Sequence, residues 1–171
     1  MTSQEGSSDA VCDAVARSKG GCLFEGLPHP HLERALLEQE RRTKQVREIG
    51  GFPFYVEPLW PLHDHEVLLR TTFSKAETLP PFSGEKMCGG FHPDFAVEWL
   101  GCDVPRHSLL CFGCCEVMSI APGFALRTDL AQSEFFRLYE ALRIYRRHRP
   151  GGFLDRFDRI VSQLASGPNG A

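Results

Sequence analysis

With 171 residues, 42% of them hydrophobic, and 19 basic against 22 acidic side chains, the chain has the balance of one ordinary globular domain, long enough to bury a core. Neither a basic excess nor a long basic block is present, so the partner expected is a protein or a small molecule rather than nucleic acid or an anionic membrane surface. No apolar run approaches the roughly 20 residues that span a bilayer. The first ten residues lack a basic segment followed by an apolar one, and the seven cysteines are odd in number and unevenly spread; both point to the cytoplasm rather than to a secreted disulfide framework.

Residues 1–8 are small, polar and aperiodic, and are expected to form a disordered tail ahead of one domain over 9–166. A short helix is expected from Asp9 to Ser18, with Ser8 as N-cap and Gly20-Gly21 as stop. A longer one is expected from Pro30 to Glu48, entered through His29-Pro30-His31, striped by Leu32, Leu36 and Leu37 and ended by Gly50-Gly51. Its back half, 38–48, reads as a solvated charged face.

Helical periodicity then stops. Phe52–Trp60 and Glu66–Phe73 are aromatic and β-branched runs that predict strands, the second started by a polar turn at His63-Asp64-His65. Ser74–Gly84 reads as a loop. Phe95–Leu100 and Ser108–Phe112 predict strands joined through Gly101, Asp103 and Pro105, and Glu116–Ile120 and Phe124–Arg127 a further pair turned at Pro122-Gly123.

Ser133 or Thr128 opens a helix with Phe135, Leu138, Tyr139, Leu142 and Tyr145 on one face. Arg143, Arg146, Arg147 and Arg149 make its basic, solvated end. A last helix over Phe153–Ala165 and a frayed tail over 167–171 complete the chain. The class is α+β: a central, mainly antiparallel meander with flanking N-terminal and C-terminal helices.

The strongest motif is Cys88-Gly-Gly-Phe-His92, then eighteen residues, then Cys111-Phe-Gly-Cys114. Three thiols and an imidazole are a donor set that tetrahedral Zn²⁺ accepts. The two-residue gap suits a turn aiming both sulfurs at one ion, and a hairpin between the flanking strands would bring the two halves together. Cys115 is an alternative to Cys114, because neighbours on a strand face opposite ways. Structural Zn²⁺ on Cys88, His92, Cys111 and Cys114 (or Cys115) is one reading. Buried or unpaired thiols in a core are the other. A redox dithiol normally starts a helix, whereas Leu109-Leu110 and Glu116-Val117 read as strand. Cys12, Cys22 and Cys102 lack ligand-type neighbours.

The string from Met87 to Trp99, followed by Leu110-Cys-Phe-Gly-Cys-Cys-Glu-Val117, resembles a group of small uncharacterised bacterial proteins. These carry Cys-Gly-Gly-(Phe/Tyr)-His and Cys-Phe-x-Cys-x-Glu segments, then a helix ending in a basic Arg-Pro-like stretch, to which Leu138–Pro150 is similar. The resemblance covers roughly 86–150 and implies that this segment is a unit; it brings no activity with it, and Cys115 departs from its pattern.

His92-Pro-Asp94 with Cys111-x-x-Cys114 is similar to the zinc nucleobase deaminases. Asp replaces their Glu, however, and Leu110 replaces the proline before the first cysteine. Common nucleotide-binding and hydrolase strings are absent. The expected function is therefore a non-enzymatic binding or regulatory module braced by the Cys/His cluster, acting through an open sheet face or the basic helix end. The alternative is an enzyme using the same cluster, as a thiol nucleophile, a redox centre or a zinc hydrolase with Asp94 or Glu116 as base.

Overall fold

A central five-stranded antiparallel sheet organises the chain, in the order β1-β4-β5-β6-β7. In the computed structural model, residues 8–86 and 90–148 are described. The elements are α1 (Ser8–Ala16), β1 (Gly21–Glu25), α2 (Arg34–Thr43), β2 (Val46–Ile49), β3 (Phe52–Tyr55), α3 (His63–Phe73), β4 (Phe95–Trp99), β5 (Arg106–Cys111), β6 (Glu116–Ala121), β7 (Phe124–Asp129) and α4 (Gln132–Leu142), with 3₁₀ turns at Ala76–Thr78 and Arg143–Tyr145. The α+β class and the β4–β7 meander agree with the sequence reading. Residues 1–7, Cys88, Arg149, the helix expected over Phe153–Ala165 and the tail over 167–171 lie outside the described residues, while Ser8, expected in the tail, begins α1. No described helix is long and apolar enough to cross a membrane.

Over β1, β4 and β5 both faces of the sheet are covered, which confines the expected open face to the β6–β7 side, where β7 is mostly half-buried. On one side Leu23, Phe95, Val97, Trp99, Leu110 and Val117 pack with Leu69 and Phe73 of α3 and with Phe135, Leu138 and Leu142 of α4. On the other, Cys22, Phe24, Ala96 and Leu109 pack against Ile49 and Phe54 of the β2–β3 hairpin. Each such Leu or Phe, fully buried, contributes roughly 1.5–3 kcal/mol. Strands buried on both faces lose the apolar–polar alternation that identifies a strand. That is why β1, whose five residues are all buried, left no signal in the sequence.

Two further expectations fail. The run Glu66–Phe73 is helical, not extended. Leu69, Thr72 and Phe73 recur at helical spacing on its buried side, Asp64 and Glu66 occupy the first turn, and Arg70 pairs with Glu66 at 3.6 Å one turn away. Burial of one face outweighs the modest strand preference of Val67, Thr71 and Thr72. His63-Asp64-His65 therefore starts a helix. The long helix stops at Thr43, and Val46–Ile49 turns back on Phe52–Tyr55. Gly50 and Gly51, with φ of +60° and +84°, form the turn of that hairpin, a geometry requiring positive φ at both central positions.

The register places one end of the sheet as a meeting point. Glu25 opposes Phe95, and Phe95 opposes Leu110, so the segments 25–29, 90–94 and 111–115 converge. Gly26 lets them touch: its N–H donates to the Asp94 carbonyl at 2.8 Å, and a Cβ there would collide with the Pro93 carbonyl oxygen.

Candidate functional site

Cys111 ends β5 buried, 3% exposed, and the backbone N–H groups of both His92 and Cys114 act on its sulfur in the direction that favours a thiolate. One atom thus ties the two halves of the sequence motif. Burial, reinforced by the Asp94 charge, nevertheless pushes its thiol up to about 12, against the two N–H donors. At neutral pH Cys111 is a protonated thiol, which is inert as a nucleophile.

His92 is 7% exposed, with its ring Nε2 2.8 Å from the Leu27 carbonyl oxygen. A carbonyl only accepts, so Nε2 carries the hydrogen, and in the neutral ring Nδ1 holds the lone pair. The imidazole of His29 meets it edge-on, centroids 4.9 Å apart. His29 itself shapes the entry to α2, as expected. Its Nδ1 accepts the N–H groups of His31 and Leu32 at 3.2 and 3.3 Å, and its own N–H donates to Glu33 at 2.9 Å.

Cys114 and Cys115 part company. Cys114 is disulfide-bonded, with Sγ 3.5 Å from the Gly90 carbonyl oxygen. Cys115, at φ +55°, turns its half-buried thiol towards the Phe112 carbonyl at 3.9 Å and packs against the helical side of the core. A positive φ at a non-glycine residue is uncommon; here it bends the chain from β5 into β6. Cys12, Cys22, Cys102, Cys111 and Cys115 are free thiols. Among the described residues no three His, Cys, Asp or Glu side chains converge as a metal cage would require. A disulfide sulfur has no thiolate to offer, so zinc ligation by Cys114 requires the reduced protein.

Beside this thiol end lies a buried charge cluster that the sequence did not reveal. Asp94 accepts the Phe112 N–H at 2.8 Å and faces Arg146 at 3.7 Å, the two side chains only 8% and 9% exposed. The Arg146 guanidinium sits 5.7, 5.9 and 6.0 Å from the ring centroids of Phe95, Phe112 and Tyr139, favourable cation–π placements. Glu25, 1% exposed, accepts the N–H groups of Arg147 and His148 at 2.9 and 3.0 Å. His148 stacks on Tyr55 at 4.1 Å and pairs with Glu57 at 3.0 Å.

The basic stretch is therefore not simply a solvated helix end. Arg143 is exposed beside Glu140, but Arg146 is a core residue and the backbone after it is tied to β1. A run of arginines carries no mark of which one turns inward.

Glu116, opposite Cys111 across β5–β6, is fully buried against Arg127 at 2.7 Å, and its Oε1 has no hydrogen-bond partner among the described residues. Arg127 also grips Glu85 at 3.0 Å and lies 4.3 Å from the Phe82 ring centroid. Lys86 reaches Asp129 at 3.0 Å. These contacts strap the segment 82–86 across β7. No protein-family model, curated protein or solved structure matches the chain.

Proposed function

We propose that the chain is a non-enzymatic binding or regulatory module whose Cys/His cluster braces one end of the sheet. In the oxidised protein the brace is the disulfide at Cys114. In the reduced protein it is structural Zn²⁺ on His92, Cys111 and Cys114, drawn together once the disulfide opens, with Cys88 as the fourth donor. The observation that carries this reading is that backbone N–H groups from both motif halves, those of His92 and Cys114, favour a thiolate at the Cys111 sulfur. Those donors favour a thiolate, and a bound Zn²⁺ would supply the charge that offsets its burial. The His92 ring suits the same role, since a ligating imidazole commonly donates its other N–H to a backbone carbonyl, as Nε2 does to Leu27.

A catalytic thiol is the weaker reading, because the cysteine joining both motif halves is buried and protonated. Asp94 and Glu116, the carboxylates available as bases, are each committed to an arginine, Arg146 and Arg127. Metal analysis of protein purified under reductant with added Zn²⁺ tests the proposal. About one ion per chain is expected, lost in Cys111→Ser and in His92→Ala, and the melting temperature should fall in chelator. Reduced protein that takes up no zinc and melts identically with and without chelator would overturn the metal brace.

A further inference from the structure

At the other end of β4 and β5, away from Cys111 and Cys114, a cleft of about 220 Å³ opens between the C-terminal end of α1 and the β4–β5 turn, lined by Arg17, Cys102, Asp103, Val104 and Arg106. We propose that this cleft binds a phosphate oxyanion, with Arg17 and Arg106 as its two guanidinium forks.

The charge balance is the first argument. Arg47, Arg70, Arg127 and Arg137 are each held by a carboxylate. Among the described residues Arg17 and Arg106 are in no ion pair, although both line one concavity. The side-chain stem of Lys19 packs over Gly101, close enough that a Cβ there would strike it. Against the two arginines stand Asp103 and the partial negative charge at the C-terminal end of α1. Two full positive charges outweigh one negative charge and a half.

Size and shape narrow the ligand. The cleft is smaller than the several hundred Å³ of a drug-sized pocket, which suits a tetrahedral oxyanion or a small ester of one. Guanidinium forks match phosphate oxygens in pairs, which a lysine cannot do. The Asp103 carboxylate accepts hydrogen bonds, so it complements the hydroxyl of a monoprotonated phosphate or of a phosphate ester's alcohol portion.

Cys102 provides the reporter. Its thiol lines the cleft, with S–H directed to the Ala14 carbonyl at 3.8 Å. Burial raises the thiol above its ordinary value, while Arg106 and Arg17 pull it down. An anion seated between the two guanidinium groups would cover the sulfur and cancel their pull.

The test measures alkylation of Cys102 in the intact protein, read from its own peptide by mass spectrometry at constant ionic strength in chloride. Inorganic phosphate or glycerol phosphate should slow the reaction. In Arg17→Gln and in Arg106→Gln the concentration giving half protection should rise about tenfold. Protection by both compounds assigns the site to phosphate itself; protection by glycerol phosphate alone assigns it to a phosphomonoester. No protection by either, equal protection by acetate, or undiminished protection in the double variant Arg17→Gln/Arg106→Gln would overturn the proposal. Because both arginines are partly or fully exposed, the variants are expected to fold; thermal melting verifies this, and Arg106→Lys, which keeps the charge but loses the fork, gives an independent reading.

Discussion

Asp94 and Arg146 meet in the interior at 3.7 Å, joining the start of β4 to the chain just after α4 and locking the thiol end of the sheet to the helical layer. A buried pair of this kind adds little net stability, but loss of one partner strands the other charge away from water. Asp94→Ala should therefore cost about 3–5 kcal/mol in urea unfolding, and it also deprives the Phe112 N–H of its acceptor. The double variant Asp94→Ala/Arg146→Met should be less destabilised than the sum of the single variants. Strict additivity would show that the two side chains are not coupled.

Gly26 is a second pressure point. Any side chain there displaces the Pro93–Asp94 backbone, so Gly26→Ala should destabilise by about 1–3 kcal/mol, the range for overpacking. It should also shift the NMR resonances of His92 and Cys111. An unchanged His92 ring would disconnect β1 from the site.

Arg127 holds the buried Glu116 carboxylate and the 82–86 strap together. Arg127→Gln should lower stability by about 3 kcal/mol or more and speed amide exchange at Ser83, whose N–H donates to Asp129 at 3.2 Å. Adding Glu116→Gln should recover part of the stability. If exchange in the strap does not change, the strap is held by something other than Arg127.

His107 gives a pH signature. Burial lowers its pKa below the ordinary 6.5, with the Glu98 contact opposing the shift only in part. The unfolded chain then binds a proton that the folded chain refuses, so stability contributed by the neutral ring is complete above about 6.5 and declines as pH falls below it. Wild-type unfolding free energy should thus rise between pH 5 and 7 more steeply than that of His107→Phe. Equal slopes would rule out His107 as the titrating group.

The reach of the sequence followed what covers each element. The β4–β7 meander and α4 were legible because short turns and clear periodicity mark them; Pro122-Gly123 and the Phe135–Leu142 face act locally. β1 and α3 were not, because their assignment depends on neighbours remote in sequence: the hairpin that roofs Cys22 and Phe24, and the sheet face that receives Leu69 and Phe73. At the site, Cys111 and His92 could be named from spacing alone. Glu25 and Arg146 could not, since nothing near either residue in sequence announces that it becomes buried, and they meet the site only through the tertiary fold.

The pairing of Gly21 with Trp99 also bears on how the molecule assembles. β4 to β7 can zip together through successive tight turns, whereas β1 must close a loop spanning most of the first half of the chain before it pairs with β4. In kinetic terms the four-strand meander is the natural nucleus and the β1–β4 pairing the late arrival. Destabilising substitutions in β1 should accelerate unfolding while leaving the folding rate nearly unchanged. The thiol end, which needs Leu27 to fix His92, would then be completed only in the last step of folding.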